Sequence, residues 1–398
     1  MVRISERMAG MNPSAIREML KTAGPDTIAF SAGNPSPELF PAKELAELAS
    51  ETFLNESAAA LQYGITEGWE PLRQAVKKRM KEKYSIGGEG DDLIIVSGGQ
   101  QGIDLCAKCL VNEGEVVIAE SPSFIGALND FRSQNTRLVG VPMDGDGMIV
   151  DELEKVLAAE PKARLIYTIP TYQNPAGVTL SLERRKKLLE LADKYDVMII
   201  EDSPYFELRY DGEQLPTLKS MDKSGRVLFA GSFSKIIAPG IRLGFACGPK
   251  ELVSKMVVAK QGQDVHTNLF FQILAEKYMT RYDLDAHIAD CCRLYKAKRD
   301  RMIDGIEKYF DKRVTYNKPA GGLFLWCELP EGCSGTEFCA LAAENGVSAV
   351  PGAAFDLNED KNNRGFRLNF SLPSFEQIDE GILRLKKSID EYLAAKLG

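Results

Sequence analysis

Nowhere in this 398-residue chain does an apolar run approach the roughly 18 residues that a membrane helix requires, so no membrane association is expected. The opening Met1-Val2-Arg3-Ile4-Ser5-Glu6-Arg7 lacks a hydrophobic signal core, and export is not expected either. No basic arm or patch stands out, and 49 basic against 57 acidic residues leave a net charge of −8. That balance argues against nucleic acid as the main partner. Eight cysteines are too sparse for a disulfide framework in a chain this long. Cys106 and Cys109 form a CxxC inside the helical-looking run 103–110, where that spacing places both thiols on one face and favours a core role. No second pair completes a zinc set, so no metal is expected. Cys291-Cys292 lies in a charged helical stretch and reads as incidental. A reducing cytoplasm suits this usage. Internal repeats, low-complexity tracts and flexible linkers are also missing. No strand is followed by GxGxxG with a suitable acidic residue, which removes the NAD-dependent dehydrogenases.

What is present is the composition of a globular protein, 44% hydrophobic and 27% charged, with length enough for more than one domain. Between Asp92 and Gly248, β-branched apolar runs alternate with amphipathic segments such as 182–192. Seven runs read as strands: 93–96, 116–119, 138–141, 165–169, 197–201, 227–230 and 243–247. The alternation predicts an α/β domain with a mainly parallel, seven-stranded sheet. A helical region follows at about 274–310. Strand-like runs at 321–329 and 366–371, with a closing helix at 375–397, predict a smaller α+β domain.

The richest stretch is Gly231-Ser232-Phe233-Ser234-Lys235-Ile236-Ile237-Ala238-Pro239-Gly240-Ile241-Arg242. Ser232, Ser234 and Arg242 can donate hydrogen bonds to a phosphate, the arginine bidentately. Lys235 between them is either a solvated loop lysine or an amine able to form a Schiff base. Such a cradle suits pyridoxal 5′-phosphate (PLP). Other candidates follow strands, where open α/β sheets carry their functional loops. Asp202 suits a pyridine nitrogen as well as a turn or helix cap. Tyr205 and the amide of Asn174 can reach a phenolic oxygen, although Asn-Pro is also a turn signal. Gly99 and Gln100 open a helix after Ser97-Gly98, where backbone N–H groups face a phosphate or simply make a tight turn. Phe124 can stack on a flat ring or belong to the core. Arg367 alternates with apolar neighbours, which fits either a carboxylate fork in a cleft or the solvated face of an edge strand.

In this order these segments resemble the fold-type I PLP-dependent aminotransferases, and most of all the 2-aminoadipate and kynurenine branch. The likeness runs across nearly the whole chain, through 14–18, 31–41, 62–68, 260–267, Gly321-Gly322 and 367–371. It implies Lys235 as the Schiff-base lysine and Asp202 as partner of the ring nitrogen. It makes Asn174 and Tyr205 contacts of the phenolic oxygen, and assigns the phosphate to Gly99, Gln100, Ser232, Ser234 and Arg242. Phe124 would stack on the ring, and Arg367 would bind the substrate α-carboxylate. Gly33 would let the N-terminal segment close over the substrate. Tyr63 would reach the cofactor of a neighbouring subunit, implying a homodimer with shared sites. Arg17 is either an exposed helix residue or the reader of a distal carboxylate. Gly99 departs from the family, where serine is common, losing a hydroxyl but keeping the N–H.

The implied domains are an N-terminal arm with part of the small domain at 1–43, a large cofactor domain at 44–300 and a small domain at 301–398. The implied reaction moves an amino group from an L-amino acid to a 2-oxo acid, 2-oxoglutarate being the expected acceptor, with ping-pong kinetics. A PLP β-lyase or decarboxylase would use the same cofactor residues. A non-catalytic regulator domain of this kind would carry a helix-turn-helix ahead of it, and none is expected here because the match begins almost at Met1.

Overall fold

The computed structural model describes residues 2–9, 11, 24, 26–357 and 363–397. Its main sheet is built from β2 (Asp91–Val96), β3 (Val116–Ser121), β4 (Arg137–Asp144), β5 (Gly147–Met148), β6 (Ala163–Thr168), β7 (Met198–Asp202), β8 (Val227–Ser232) and β9 (Gly244–Pro249). β1 (Ile28–Ala29) belongs to a separate pair described below. The strand order is β2-β9-β8-β7-β6-β3-β4-β5. Neighbours from β8 through β4 are parallel, while β9 runs antiparallel to both β2 and β8. The sheet is therefore mainly parallel, as the alternation of strands and helices predicts. Its strand count is eight rather than seven, because the Gly-rich turn after Asp144 lets Gly147–Met148 fold back on the end of β4.

The central strands β3, β6, β7, β8 and β9 are buried on both faces, which explains the nearly continuous apolar runs in the sequence. Leu165 and Tyr167 face a core shared with Ile103, Leu105 and Met256 from helices Gly99–Leu110 and Lys250–Gln261. Ile166 faces the opposite core, with Leu153, Leu188 and Leu191. This period of two is the pleat of the strand read out as packing. Helix Leu182–Tyr195 ends where Asp196 takes the left-handed conformation (φ 57°), a position that asparagine and aspartate tolerate better than most residues.

The expected helical region 274–310 is two helices, Leu269–Arg281 and Leu284–Tyr309. Asp283 separates them: its Oδ1 accepts the Ala286 N–H at 2.9 Å and so starts the second helix. A second sheet, in the order β10-β11-β14-β13, comprises β10 (Thr315–Tyr316), β11 (Phe324–Glu328), β13 (Val350–Pro351) and β14 (Gly365–Asn369). β1 pairs with β12 (Val347–Ser348) beside it. Helix Phe375–Leu397 covers these elements, burying Leu385 and Ile389 in one apolar cluster with Phe366, Leu368, Ile303 and Ile306. β14 is flanked on both sides, with Arg367 opposite Trp326 and Val350. Arg367 is thus on a central, buried strand, and the alternative of a solvated edge strand does not hold.

All eight cysteines are free, and Cys106 packs in the core. No group of three metal-binding side chains occurs among the described residues. No helix among the described residues is long and apolar enough to cross a membrane.

Candidate active site

The carboxyl ends of β2, β3, β6, β7 and β8 open on one cavity of about 710 Å³, within the roughly 300–1,000 Å³ typical of small-molecule sites. The antiparallel β9 starts at the same edge, so the turn before it delivers Arg242 to the same cavity. Gly33, Gly99, Gln100, Phe124, Asn174, Asp202, Tyr205, Ser232, Ser234, Lys235, Arg242 and Arg367 all line it. Of the two remaining expected residues, one stands apart. Tyr63 is 80% exposed on the surface, its ring edge-on to His266 at 5.9 Å. Arg17 lies outside the described residues.

One end of the cavity is a cradle of backbone and hydroxyls. Gly98 precedes helix Gly99–Leu110 with φ 88° and ψ 160°, a conformation open essentially to glycine. A Cβ at Gly98 would also collide with the Arg242 guanidinium. Gly99 and Gln100 therefore begin the helix with backbone N–H groups that have no partner within it. The Ser232 Oγ accepts the Ser234 N–H at 3.1 Å, which shapes the turn before Lys235. Arg242, itself at φ 53°, donates to Ser97 O at 3.1 Å and to Pro239 O at 3.3 Å. The Gln100 side chain donates to the Asp130 carboxylate, which also lines the cavity. Its backbone N–H, in the first turn of the helix, has no partner within that helix.

At the other end of the cavity, Asp202 closes β7 and is 5% exposed. Burial raises its carboxyl to about 7, against the opposing hydrogen bond from Tyr167 Oη at 2.7 Å. A buried acid of this kind ionises readily only when a positive group faces it. Lys235 is half-buried, and its Nζ donates to Gly33 O at 2.8 Å. Desolvation, with the positive charges of Arg367 and Arg242, lowers this amine to about 8. A substantial neutral fraction near physiological pH makes it a competent nucleophile and base.

Arg367 is 2% exposed, yet no carboxylate among the described residues pairs with it. It donates to Asn174 Oδ1 and to Ser31 O, both at 2.8 Å, and its Nε has no partner among the described residues. Its guanidinium lies 4.1 Å from the Phe324 ring centroid and 5.0 Å from that of Phe355. Burial lowers it to about 10. A buried cation without a counterion is costly, and an anionic ligand would remove that cost. Asn174 also hydrogen-bonds the Tyr205 phenol, whose pKa burial raises. Phe124 reaches the cavity because Gly126 beneath it has no side chain; a Cβ there would strike the ring.

Several supporting residues escaped the sequence. Glu120 accepts from Thr168 Oγ1 at 2.5 Å, Gln173 Nε2 at 3.0 Å and Ile169 N at 3.2 Å, and so fixes the loop that carries Asn174. Tyr167 and Phe324 were hidden in apolar strands, although a charged Glu120 ending the run 116–119 was a visible signal.

The family model for aminotransferase class I and II matches residues 25–385. The chain belongs to the class I and II aminotransferases. It is 42% identical over 392 residues to an aromatic-amino-acid aminotransferase of Thermococcus litoralis, a match covering 97% of this chain and 94% of that protein. A multiple substrate aminotransferase from Thermococcus profundus superposes with a TM-score of 0.94 at 40% identity, covering 98% of both chains. An alpha-aminoadipate aminotransferase from Thermus thermophilus, solved with N-(5′-phosphopyridoxyl)-L-leucine, gives 0.90 at 34% identity over 98% of both. This aminotransferase is a PLP enzyme that transfers amino groups, and the lyase and decarboxylase alternatives are not favoured. The cavity fits that cofactor: its lining joins a glycine-built cradle for a phosphate, a buried carboxyl with no cation paired to it among the described residues, and a guanidinium that no described carboxylate pairs.

Proposed function

We propose that this aminotransferase takes aromatic and 2-aminoadipate-like L-amino acids as donors and 2-oxoglutarate as acceptor. The names of its relatives support this range. The observation that carries the residue roles is the placing of Lys235 within the fields of two separate cations, Arg242 and Arg367. One suits a phosphate and the other a carboxylate, with the amine facing the cavity both line.

Bound in this cavity, PLP would supply a carbonyl that takes up the amino group and a ring that accepts the electron pair left when the α-proton departs. The N–H groups of Gly99 and Gln100, the Ser232 and Ser234 hydroxyls and Arg242 hold its phosphate. Asp202 faces the ring nitrogen and keeps it protonated. Asn174 and Tyr205 would hold the phenolic oxygen, and Phe124 would support the ring. Arg367, oriented by Asn174, grips the substrate α-carboxylate, and Gly33 leaves room above it. The Lys235 Nζ, neutral in substantial fraction because it is desolvated among cations, would remove the α-proton and return it to the former carbonyl carbon of the cofactor, on the far side of the nitrogen.

Tyr63, exposed on this chain, completes the phosphate site of a second copy in a homodimer. Arg17 reads a distal carboxylate, so Arg17→Ala loses the preference for glutamate-like over aromatic donors; unchanged relative kcat/KM values would remove that role. The chain divides into an arm with part of the small domain (1–43), a cofactor domain (44–300) and a small domain (301–398). It works in the cytoplasm. A half-reaction screen tests the substrate range: the PLP form is mixed with single amino acids, and the loss of cofactor absorbance is ranked by rate. Aromatic donors and 2-aminoadipate should lead. Release of pyruvate with ammonia, or of carbon dioxide, would contradict transfer.

A further inference from the structure

Behind the cradle lies a buried charge that the roles above do not use. Lys260 is fully buried, and its Nζ donates to Asp264 Oδ1 and Oδ2, each at 2.7 Å, and to Gln101 Oε1 at 2.8 Å. Both acceptor residues then hold Ser97. The Ser97 N–H donates to Gln101 Oε1 at 2.8 Å, and the Ser97 Oγ donates to Asp264 Oδ2 at 2.9 Å. The Ser97 carbonyl in turn accepts from Arg242 Nη2 at 3.1 Å. Every polar atom of Ser97 is thus committed, and it is the residue immediately before Gly98 and Gly99. The turn carrying Asp264 holds Val265 at φ 63°, a left-handed conformation that β-branched residues rarely adopt. Backbone strain of this kind persists only where surrounding bonds impose it.

We infer that Lys260 and Asp264 are positioning residues for the phosphate half of the cofactor site. Through Gln101 and Ser97 they fix the turn that aims the Gly99 and Gln100 N–H groups and the Arg242 guanidinium. Neither residue lines the cavity. A buried ion pair is weak support for stability alone, because desolvation offsets the attraction. Its value here is directional, since each of its partners leads to Ser97. The inference rests on the cradle binding phosphate.

The test compares affinity for PLP with affinity for pyridoxal, which lacks the phosphate, by absorbance titration of the cofactor-free enzyme. The wild-type enzyme should prefer PLP strongly. Asp264→Ala should lower PLP affinity at least about tenfold, the loss expected for one charge-assisted hydrogen bond, and leave pyridoxal affinity within about twofold. Ser97→Ala, which removes only the hydroxyl donor, should show the same selective loss in smaller measure and serves if Asp264→Ala does not fold. Asp264→Asn, which keeps an acceptor for Ser97, should recover part of the preference. Parallel losses for both ligands in the variants, or no loss for either, would overturn the positioning role. Equal binding of PLP and pyridoxal by the wild-type enzyme would instead refute the cradle itself.

Discussion

Replacing Asp202 by asparagine should stabilise the cofactor-free enzyme while damaging the loaded one. In the folded protein burial raises this carboxyl from 3.8 to about 7. Holding it ionised without a positive partner therefore costs roughly 4 kcal/mol, at 1.36 kcal/mol per tenfold change. The sign follows from proton linkage: the folded state binds the proton more tightly, so stability is greatest at low pH and is lost as pH rises from about 4 to about 7. Asparagine is uncharged throughout and escapes that loss. With an unfolding entropy of about 2.1 cal/mol/K per residue, roughly 4 kcal/mol moves the midpoint of a chain this long by about 5 °C. The assay is thermal unfolding of cofactor-free wild-type and Asp202→Asn protein at several pH values. The variant should melt about 5 °C higher at pH 8, with less than half that gap at pH 5. With PLP the order should reverse in activity, because the variant cannot hold the ring nitrogen protonated. Equal melting at pH 8, or a gap independent of pH, would show that Asp202 carries no such charge penalty.

Further outcomes follow from the same geometry. Gly98→Ala combines a φ of 88° with a collision against Arg242, so it should cost about 1–3 kcal/mol and weaken PLP binding in a titration. Gly99→Ser is the contrast: a Cβ there meets nothing closer than 3.9 Å, so the fold should tolerate it and PLP affinity should hold or rise. Arg367→Gln should lower kcat/KM for amino donors about 10- to 100-fold, the scale of a lost hydrogen bond to a charged group. Because Arg367 is one of the cations that depress Lys235, the same variant should shift the pH profile of PLP capture to higher pH.

The parallel sheet was legible because strands buried on both faces leave continuous apolar runs, and the glycines and hydroxyls of 231–244 stand out against them. The two-residue β5 and the break at Asp283 were not, since neither a short hairpin nor a helix cap interrupts the hydrophobic pattern strongly. Asn174 and Arg367 were each ambiguous alone; their 2.8 Å contact joins loop and strand 193 residues apart, a relation no local pattern encodes. Tyr167 was hidden for a similar reason. It sits in an apolar strand, and its hydroxyl matters only because β6 lies beside β7 and brings Asp202 within reach. The Lys260–Asp264 pair reads as an ordinary helical i, i+4 contact until Ser97, more than 160 residues away, completes it.

Borohydride reduction of the PLP-loaded enzyme, followed by mapping of the labelled peptide by mass spectrometry, shows which residue carries the cofactor. The label should fall on Lys235 and vanish in Lys235→Ala, which should also have lost turnover. A label on another lysine of the wild-type enzyme, or sustained turnover by Lys235→Ala, would contradict Lys235 as that residue.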